Sequence, residues 1–188
     1  MQLIDGIARL AGRALRGVRA GERQLAKNVL GAPETMRVHS ESFRHEAPIP
    51  AVHTDSEGRN VSPALAWTPP PAGTKELVLL CEDPDIPKRT PFAHWVVYRI
   101  SPDVTSFDAG IVIGDSPHGA IQGRSSVRKE GWLGPHPPQG HGTHHYHFQI
   151  FALDAPTGLG PGATRDQVVG AMRGKVLACG DLVGTYTR

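Results

Sequence analysis

The chain is short of most features that place a protein quickly. Only two of its 188 residues are cysteine, Cys81 and Cys179, which excludes a disulfide-stapled scaffold. Cys81 lies inside an apolar run, so a buried free thiol acting as a small hydrophobe is expected. No stretch approaches the roughly 20 apolar residues that span a bilayer. The N-terminus lacks a continuous apolar core of the secretory type, so a cytoplasmic location is the expectation. Aromatic residues make up 6% of the chain and the formal charge is +2. That balance excludes a strongly basic nucleic-acid surface, and no nucleic-acid partner is expected. A Gly-x-Ser-x-Gly nucleophile elbow is also missing.

What the chain has in excess is glycine and proline, 22 and 17 residues. Such punctuation favours a turn-rich, mainly β protein over a helical bundle. The length suits one domain, or a domain with an appendage. The appendage is visible in the charge distribution. Residues 1–30 hold Arg9, Arg13, Arg16, Arg19, Arg23 and Lys27 against Asp5 and Glu22, which leaves the rest slightly acidic.

Within that segment Leu3, Ile7, Leu10, Ala14, Val18, Leu25 and Val29 recur at near-helical spacing, with Arg9, Arg13, Arg16, Arg23 and Lys27 on the opposite face. The pattern predicts an amphipathic helix over 3–30. Gly6, Gly12, Gly17 and Gly21 weaken it by about 1 kcal/mol each relative to alanine. Its apolar stripe needs cover, from its own domain or from a sister subunit in a homodimer; contact with a membrane surface is the alternative. Gly31-Ala32-Pro33 closes the segment, so the expected division is a helical extension at 1–33 and a domain at 34–188.

From Met36 onward short β-like runs alternate with Pro/Gly breaks. Leu77–Cys81, Ala93–Ile100 and Tyr146–Leu153 are the most continuous apolar runs and read as central strands. Thr164-Arg165-Asp166-Gln167 has the capping-box form and opens a short helix to about Met172. Val176–Tyr186 reads as a closing strand interrupted by Gly180 and Gly184. Strands joined by long loops, with one late helix, predict an antiparallel β architecture.

Two segments hold the side chains with chemical potential: Asp83-Pro84-Asp85 with His94-Trp95, and the run from Pro137 to Tyr146. The aspartates leave the sheet at a strand end, where Pro84 and Pro87 stiffen the exit. Two carboxylates so close need a cation, an imidazolium or a shared proton if both face one pocket. Alternation along the next strand puts His94 on one face with Val96 and Tyr98, and Trp95 with Val97 on the other. Six of the ten histidines fall between 118 and 147, which first suggests zinc. Alternation however sends His144 and Tyr146 inward with Phe148 and Ile150, and His145 and His147 to the opposite face. A cluster divided in this way does not converge tetrahedrally, so no metal site is expected. Inward imidazoles and a phenol donate hydrogen bonds to phosphate or carboxylate oxygens. Gly140 and Gly142 let the backbone approach a ligand. A zwitterion with phosphate and amine ends would satisfy both the donors and the aspartates.

At these residues the chain resembles the phosphatidylethanolamine-binding protein family, in particular its bacterial Raf-kinase-inhibitor-like branch. The matching pieces are Asn60-Val61-Ser62-Pro63-Ala64-Leu65-Ala66-Trp67, Asp83-Pro84-Asp85-Ile86-Pro87, His94-Trp95-Val96-Val97, Gly134-Pro135-His136-Pro137-Pro138-Gln139-Gly140, His144-His145-Tyr146, Phe151-Ala152-Leu153-Asp154 and Leu182-Val183-Gly184-Thr185-Tyr186. The resemblance implies a large antiparallel sheet with a smaller sheet packed on it and peripheral helices. It also implies an anion pocket lined by Asp83, Asp85, His94, Pro138, His144 and Tyr146, which would take phosphate, a phosphorylated headgroup or a similar small anion. One departure is the loop Arg124–Trp132, which lacks the Asn-Asp pair and aromatic-glycine step expected there.

The leading expectation is therefore a non-enzymatic binding protein that needs no cofactor and regulates a partner protein. Two alternatives are carried beside it: a protease or kinase inhibitor working through loops near 86–92 and 124–136, and a small-ester hydrolase using the Asp/His pocket.

Overall fold

A computed structural model describes residues 12–15 and 17–188. Among the described residues nine strands form two sheets: β1 (Val38–His39), β2 (Ala47–Pro48), β3 (Leu65–Trp67), β4 (Glu76–Asp83), β5 (Phe92–Ile100), β6 (Ser106–Phe107), β7 (Ile121–Gln122), β8 (Thr143–Leu153) and β9 (Val176–Thr187). The large sheet has the order β2-β9-β8-β4-β5-β7 and the small one β1-β3-β6. All pairings between these strands are antiparallel except the edge pair β2–β9. The mainly β expectation, with a small sheet on a large one, holds.

The large sheet is the middle layer of three, which is why β4 is buried at all eight positions. On one face Leu77, Leu79, Cys81, Trp95, Val97, Phe148 and Ile150 pack against Leu65, Trp67 and Phe107 of the small sheet. On the other, Val78, Leu80, Val96, Tyr98, Phe151 and Leu153 pack against Val168, Val169 and Met172. Those last three belong to the helix Arg165–Met172, which carries the capping box read from Thr164 and Gln167. Removal of each such side chain from water contributes roughly 1.5–3 kcal/mol.

The glycines that interrupt the pattern of β9 mark close approaches. A Cβ at Gly180 would stand 2.7 Å from the Met36 carbonyl oxygen, and one at Gly184 2.5 Å from Ile49 Cγ1. The strand continues through both because other backbone and side chains fill the space a side chain would take.

The single amphipathic helix expected over 3–30 is not what the described residues form. A helical turn at 12–14 is followed by chain without regular structure at 18–20, a 3₁₀ turn at Glu22–Gln24 and a helix at Ala26–Leu30. Gly21 adopts φ 81°, a backbone open to glycine and incompatible with a continuing helix. The expectation for Leu3, Ile7 and Leu10 lies outside the described residues. Leu25 and Ala26 are fully buried, and Ala26 joins the core under the helix Arg165–Met172. Buried polar groups fasten this docking: Glu82 Oε2 accepts from the Ala26 N–H at 2.8 Å and from Gln149 Nε2 at 2.6 Å, while Arg165 Nε donates to Glu82 Oε1 at 2.7 Å. Lys27 Nζ and His147 Nδ1 meet Asp181 Oδ2 at 2.9 and 2.8 Å.

Candidate functional site

The end of β4, the start of β5 and the start of β8 lie side by side at one end of the large sheet. Each delivers a chemistry-bearing side chain there: Asp83, His94, and His144 with Tyr146. With Pro138, Gly134, Leu133, Phe92 and the rim pair Asp55 and His136 they line a cavity of about 90 Å³.

His94 reaches this cavity against the alternation rule. Cys81 pairs with Trp95 but Glu82 pairs with Ala93, so His94 is the extra residue of a β-bulge. A bulge re-aims a side chain, and here it turns His94 to the side of Trp132 and Tyr146, with ring centroids 6.4 and 5.0 Å away. The expectation that His94 shares a face with Val96 and Tyr98 is thereby corrected; those two lie in the opposite core.

Five of the six expected residues, Asp83, His94, Pro138, His144 and Tyr146, surround the cavity. Asp85 does not. Its Oδ1 is held by Arg19, its Oδ2 accepts from the backbone N–H and Nδ1 of His145 at 2.7 Å each, and its own N–H donates to Asp83 Oδ1 at 2.8 Å. Asp85 thus braces the loop and anchors the N-terminal segment, a role that residue type and spacing alone do not separate from lining.

His144 lines the wall but has no ring nitrogen left for a ligand. Its Nδ1 lies 2.7 Å from Asp83 Oδ2 and its Nε2 2.7 Å from His141 Nδ1. His141 Nε2 in turn donates to the Leu15 carbonyl at 2.9 Å. Three contacts in this chain need three protons, and two neutral imidazoles carry only two. The third sits either on the imidazole pair facing ionised Asp83 or on Asp83 itself. In both cases the trio is neutral overall. An anion in the cavity therefore meets no uncompensated carboxylate from Asp83, and the apparent conflict between aspartates and an anionic ligand disappears.

Two groups remain directed to chemistry. His94 Nδ1 donates to the Leu133 carbonyl at 2.6 Å, which leaves Nε2 as its available nitrogen. Burial pushes the His94 imidazole below its ordinary 6.5, although Asp83 and the Leu133 carbonyl pull it back up. Tyr146 is fully buried, and among the described residues its hydroxyl has no hydrogen-bond partner. Burial, with Asp83 nearby, pushes that phenol well above 10, so it remains a neutral donor. At the rim His136 Nδ1 and Asp55 Oδ2 are 3.4 Å apart, both nearly half exposed.

His141, His136 and Asp55 were missed as functional candidates. His136 lies in the quoted Pro-Pro segment, but Asp55 comes from a turn remote in sequence, with no local signal. The other histidines disperse: His147 is committed to Asp181, and among the described residues no three His, Cys, Asp or Glu side chains are grouped to hold a metal ion.

The family model for phosphatidylethanolamine-binding protein matches residues 39–187. The chain belongs to that family. It is 38% identical over 154 residues to a UPF0098 protein of Methanothermobacter thermautotrophicus, a match spanning 81% of this chain and 99% of the relative. Among solved structures, a phosphatidylethanolamine-binding protein homologue from Chlamydia trachomatis has a TM-score of 0.73 at 34% identity, covering 81% of this chain and 97% of the other. Escherichia coli YbcL, described as a new member of the mammalian PEBP family, gives 0.75 at 27% identity, covering 81% of this chain and 98% of the other. The family match begins at residue 39, so the contacts of Leu15 with His141 and of Arg19 with Asp85 come from chain outside it. Among the described residues no helix is long and apolar enough to cross a membrane.

Proposed function

We propose that this protein is a non-enzymatic receptor for a phosphorylated headgroup, held in the cavity between β4, β5 and β8. One observation carries the reading: the Tyr146 hydroxyl is buried in the cavity wall with no partner, beside a histidine whose Nε2 is the nitrogen left to a ligand. A buried donor without an acceptor costs about 1–3 kcal/mol, which a phosphate oxygen would recover. The neutral Asp83–His144–His141 chain removes the repulsion that an ionised Asp83 alone would exert. Asp55 at the rim offers a carboxylate to an amine linked to that phosphate.

Among the described residues no Ser, Thr or Cys lines this cavity. Burial pushes the Cys81 thiol well up and Cys179 up to about 12, so neither supplies a thiolate nucleophile. Binding is favoured over hydrolysis on those grounds.

Calorimetric titration with phosphoethanolamine and inorganic phosphate tests the proposal. Tyr146→Phe, which keeps the ring, is expected to weaken binding about tenfold. Failure of wild-type protein to show saturable binding up to ~10 mM, a very weak affinity, would overturn it.

A further inference from the structure

A second cavity, of about 270 Å³, shares no lining residue with the first and lies where the loop 124–130 meets the start of the helix Arg165–Met172. That volume approaches the ~300–1,000 Å³ of small-molecule sites. Its walls are stitched together by backbone bonds. The Arg124 N–H donates to the Ala163 carbonyl at 2.9 Å, and the Ser126 N–H to the Ala93 carbonyl at 3.0 Å. The Ala93 N–H donates to Ser126 Oγ at 2.9 Å. The loop itself closes through Ser125 N–H to the Lys129 carbonyl and Arg128 N–H to the Ser125 carbonyl, both 2.8 Å.

The lining is cationic. Arg124, Arg128 and Arg165 face a single acid, Asp166, which is already 3.0 Å from Arg165 Nη1. Arg165 is further committed to Glu82, so the two loop arginines are the ones with capacity to spare. Among the described residues Arg124 has only Glu130 as an ion-pair partner, at 3.8 Å with both partly exposed, a pair worth little. Arg128 has no carboxylate within 4 Å among the described residues. It also holds φ 63°, a left-handed backbone that is costly for a residue with a side chain and recurs at ligand sites. The helix places its positive end at the same cavity. Independently, Ser125 in the lining is 3% exposed, and among the described residues its hydroxyl has no hydrogen-bond partner.

Two guanidinium forks, a helix N-terminus and an unpartnered hydroxyl are the donors that match a tetrahedral dianion. We propose that this cavity is a second anion site that takes the phosphoryl group of a phosphomonoester. The site is separate from the headgroup cavity and stands whether or not that one binds phosphate.

The test follows backbone amide signals by NMR while O-phosphoserine, inorganic phosphate or sodium chloride is added to the full chain. O-phosphoserine is expected to move the amides of Ser125, Ser126 and Asp166 saturably, in wild type and in Tyr146→Phe alike. The exposed pair Arg124→Ala with Arg128→Ala is expected to weaken those shifts by roughly tenfold or more and to leave any shift at Gly134 and His94 unchanged. Arg165 is left intact because its loss would strand buried Glu82. Saturation by inorganic phosphate but not by O-phosphoserine overturns the phosphomonoester assignment. Shifts that chloride reproduces, that do not saturate by ~10 mM, or that persist in the double variant overturn the site.

Discussion

Asp83 and His144 form a buried pair, Oδ2 to Nδ1 at 2.7 Å, with side chains 5% and 1% exposed. The pair organises the end of the sheet because Asp83 Oδ1 also takes the Asp85 N–H. Asp83→Ala removes both supports and leaves His144 with one unfilled nitrogen. Loss of one partner from a buried pair costs about 3–5 kcal/mol. Urea unfolding should show a lower midpoint with an unchanged slope, the shift multiplied by that slope giving the loss.

The N-terminal segment is held near the cavity by close packing as well as by polar contacts. A Cβ on Gly12 would collide with the Gln139 carbonyl oxygen. The Ala20 and Gly21 N–H groups donate to the Ile86 and Pro84 carbonyls at 3.1 and 3.0 Å. Gly12→Ala should therefore lift the first turn away and release His141 Nε2 from Leu15. Hydrogen exchange at Leu15 and Val18 is expected to accelerate by an order of magnitude or more, with β4 and β8 unaffected.

On the opposite face Glu82 is fully buried and depends on Arg165. Arg165→Ala should cost about 3–5 kcal/mol, since it strands a charge in the core. Glu82→Gln combined with Arg165→Ala should cost less than the two single changes added together. Chemical denaturation of all four proteins gives the coupling directly. An additive result would mean that the Ala26–Leu30 docking does not depend on this pair.

Much of the fold was legible because it rests on local patterns. Apolar runs placed β4, β5 and β8, and Thr164 with Gln167 placed the late helix. What escaped was set by a one-residue irregularity or by distant chain. The bulge at His94 has no sequence signature, so strict alternation sent it to the wrong face. Gly180 and Gly184 looked like interruptions until Met36 and Ile49 were seen against them. Asp83 and Asp85 are chemically identical and two residues apart; only the arrival of Arg19 and His145 makes one a brace while the other lines the cavity. The N-terminal periodicity was real, but Gly21 and the docking bonds to Pro84, Ile86 and Glu82 outweigh the propensity for one long helix.

His94 gives a pH dependence whose sign follows from its burial. The folded imidazole titrates below the ordinary 6.5, so well above that pH it is neutral in both states and contributes nothing. As pH falls through 6.5 the unfolded chain takes up the proton first, and stability falls until the folded imidazole also titrates. His94→Gln should remove this component, so the stability difference between variant and wild type changes in the variant's favour on acidification. Paired urea curves on either side of pH 6.5 check it. A difference that stays constant with pH would place His94 in a more solvated setting than the cavity wall.

Tyr146 separates stability from binding. Its hydroxyl is buried and unpartnered, so in the ligand-free protein it costs desolvation and returns no hydrogen bond. Tyr146→Phe keeps the ring contact with His94 at 5.0 Å and should leave the protein unchanged or more stable by about 1 kcal/mol. If the proposed headgroup binds there, the same substitution should weaken phosphoethanolamine, because its phosphate would supply the acceptor that the hydroxyl lacks. Thermal unfolding with and without phosphoethanolamine reads both effects in one experiment. Wild type should gain more from the ligand, while the variant matches or exceeds it without. A variant destabilised in the absence of ligand would mean that the hydroxyl already has a partner in solution, and the argument for an anion beside it would fall.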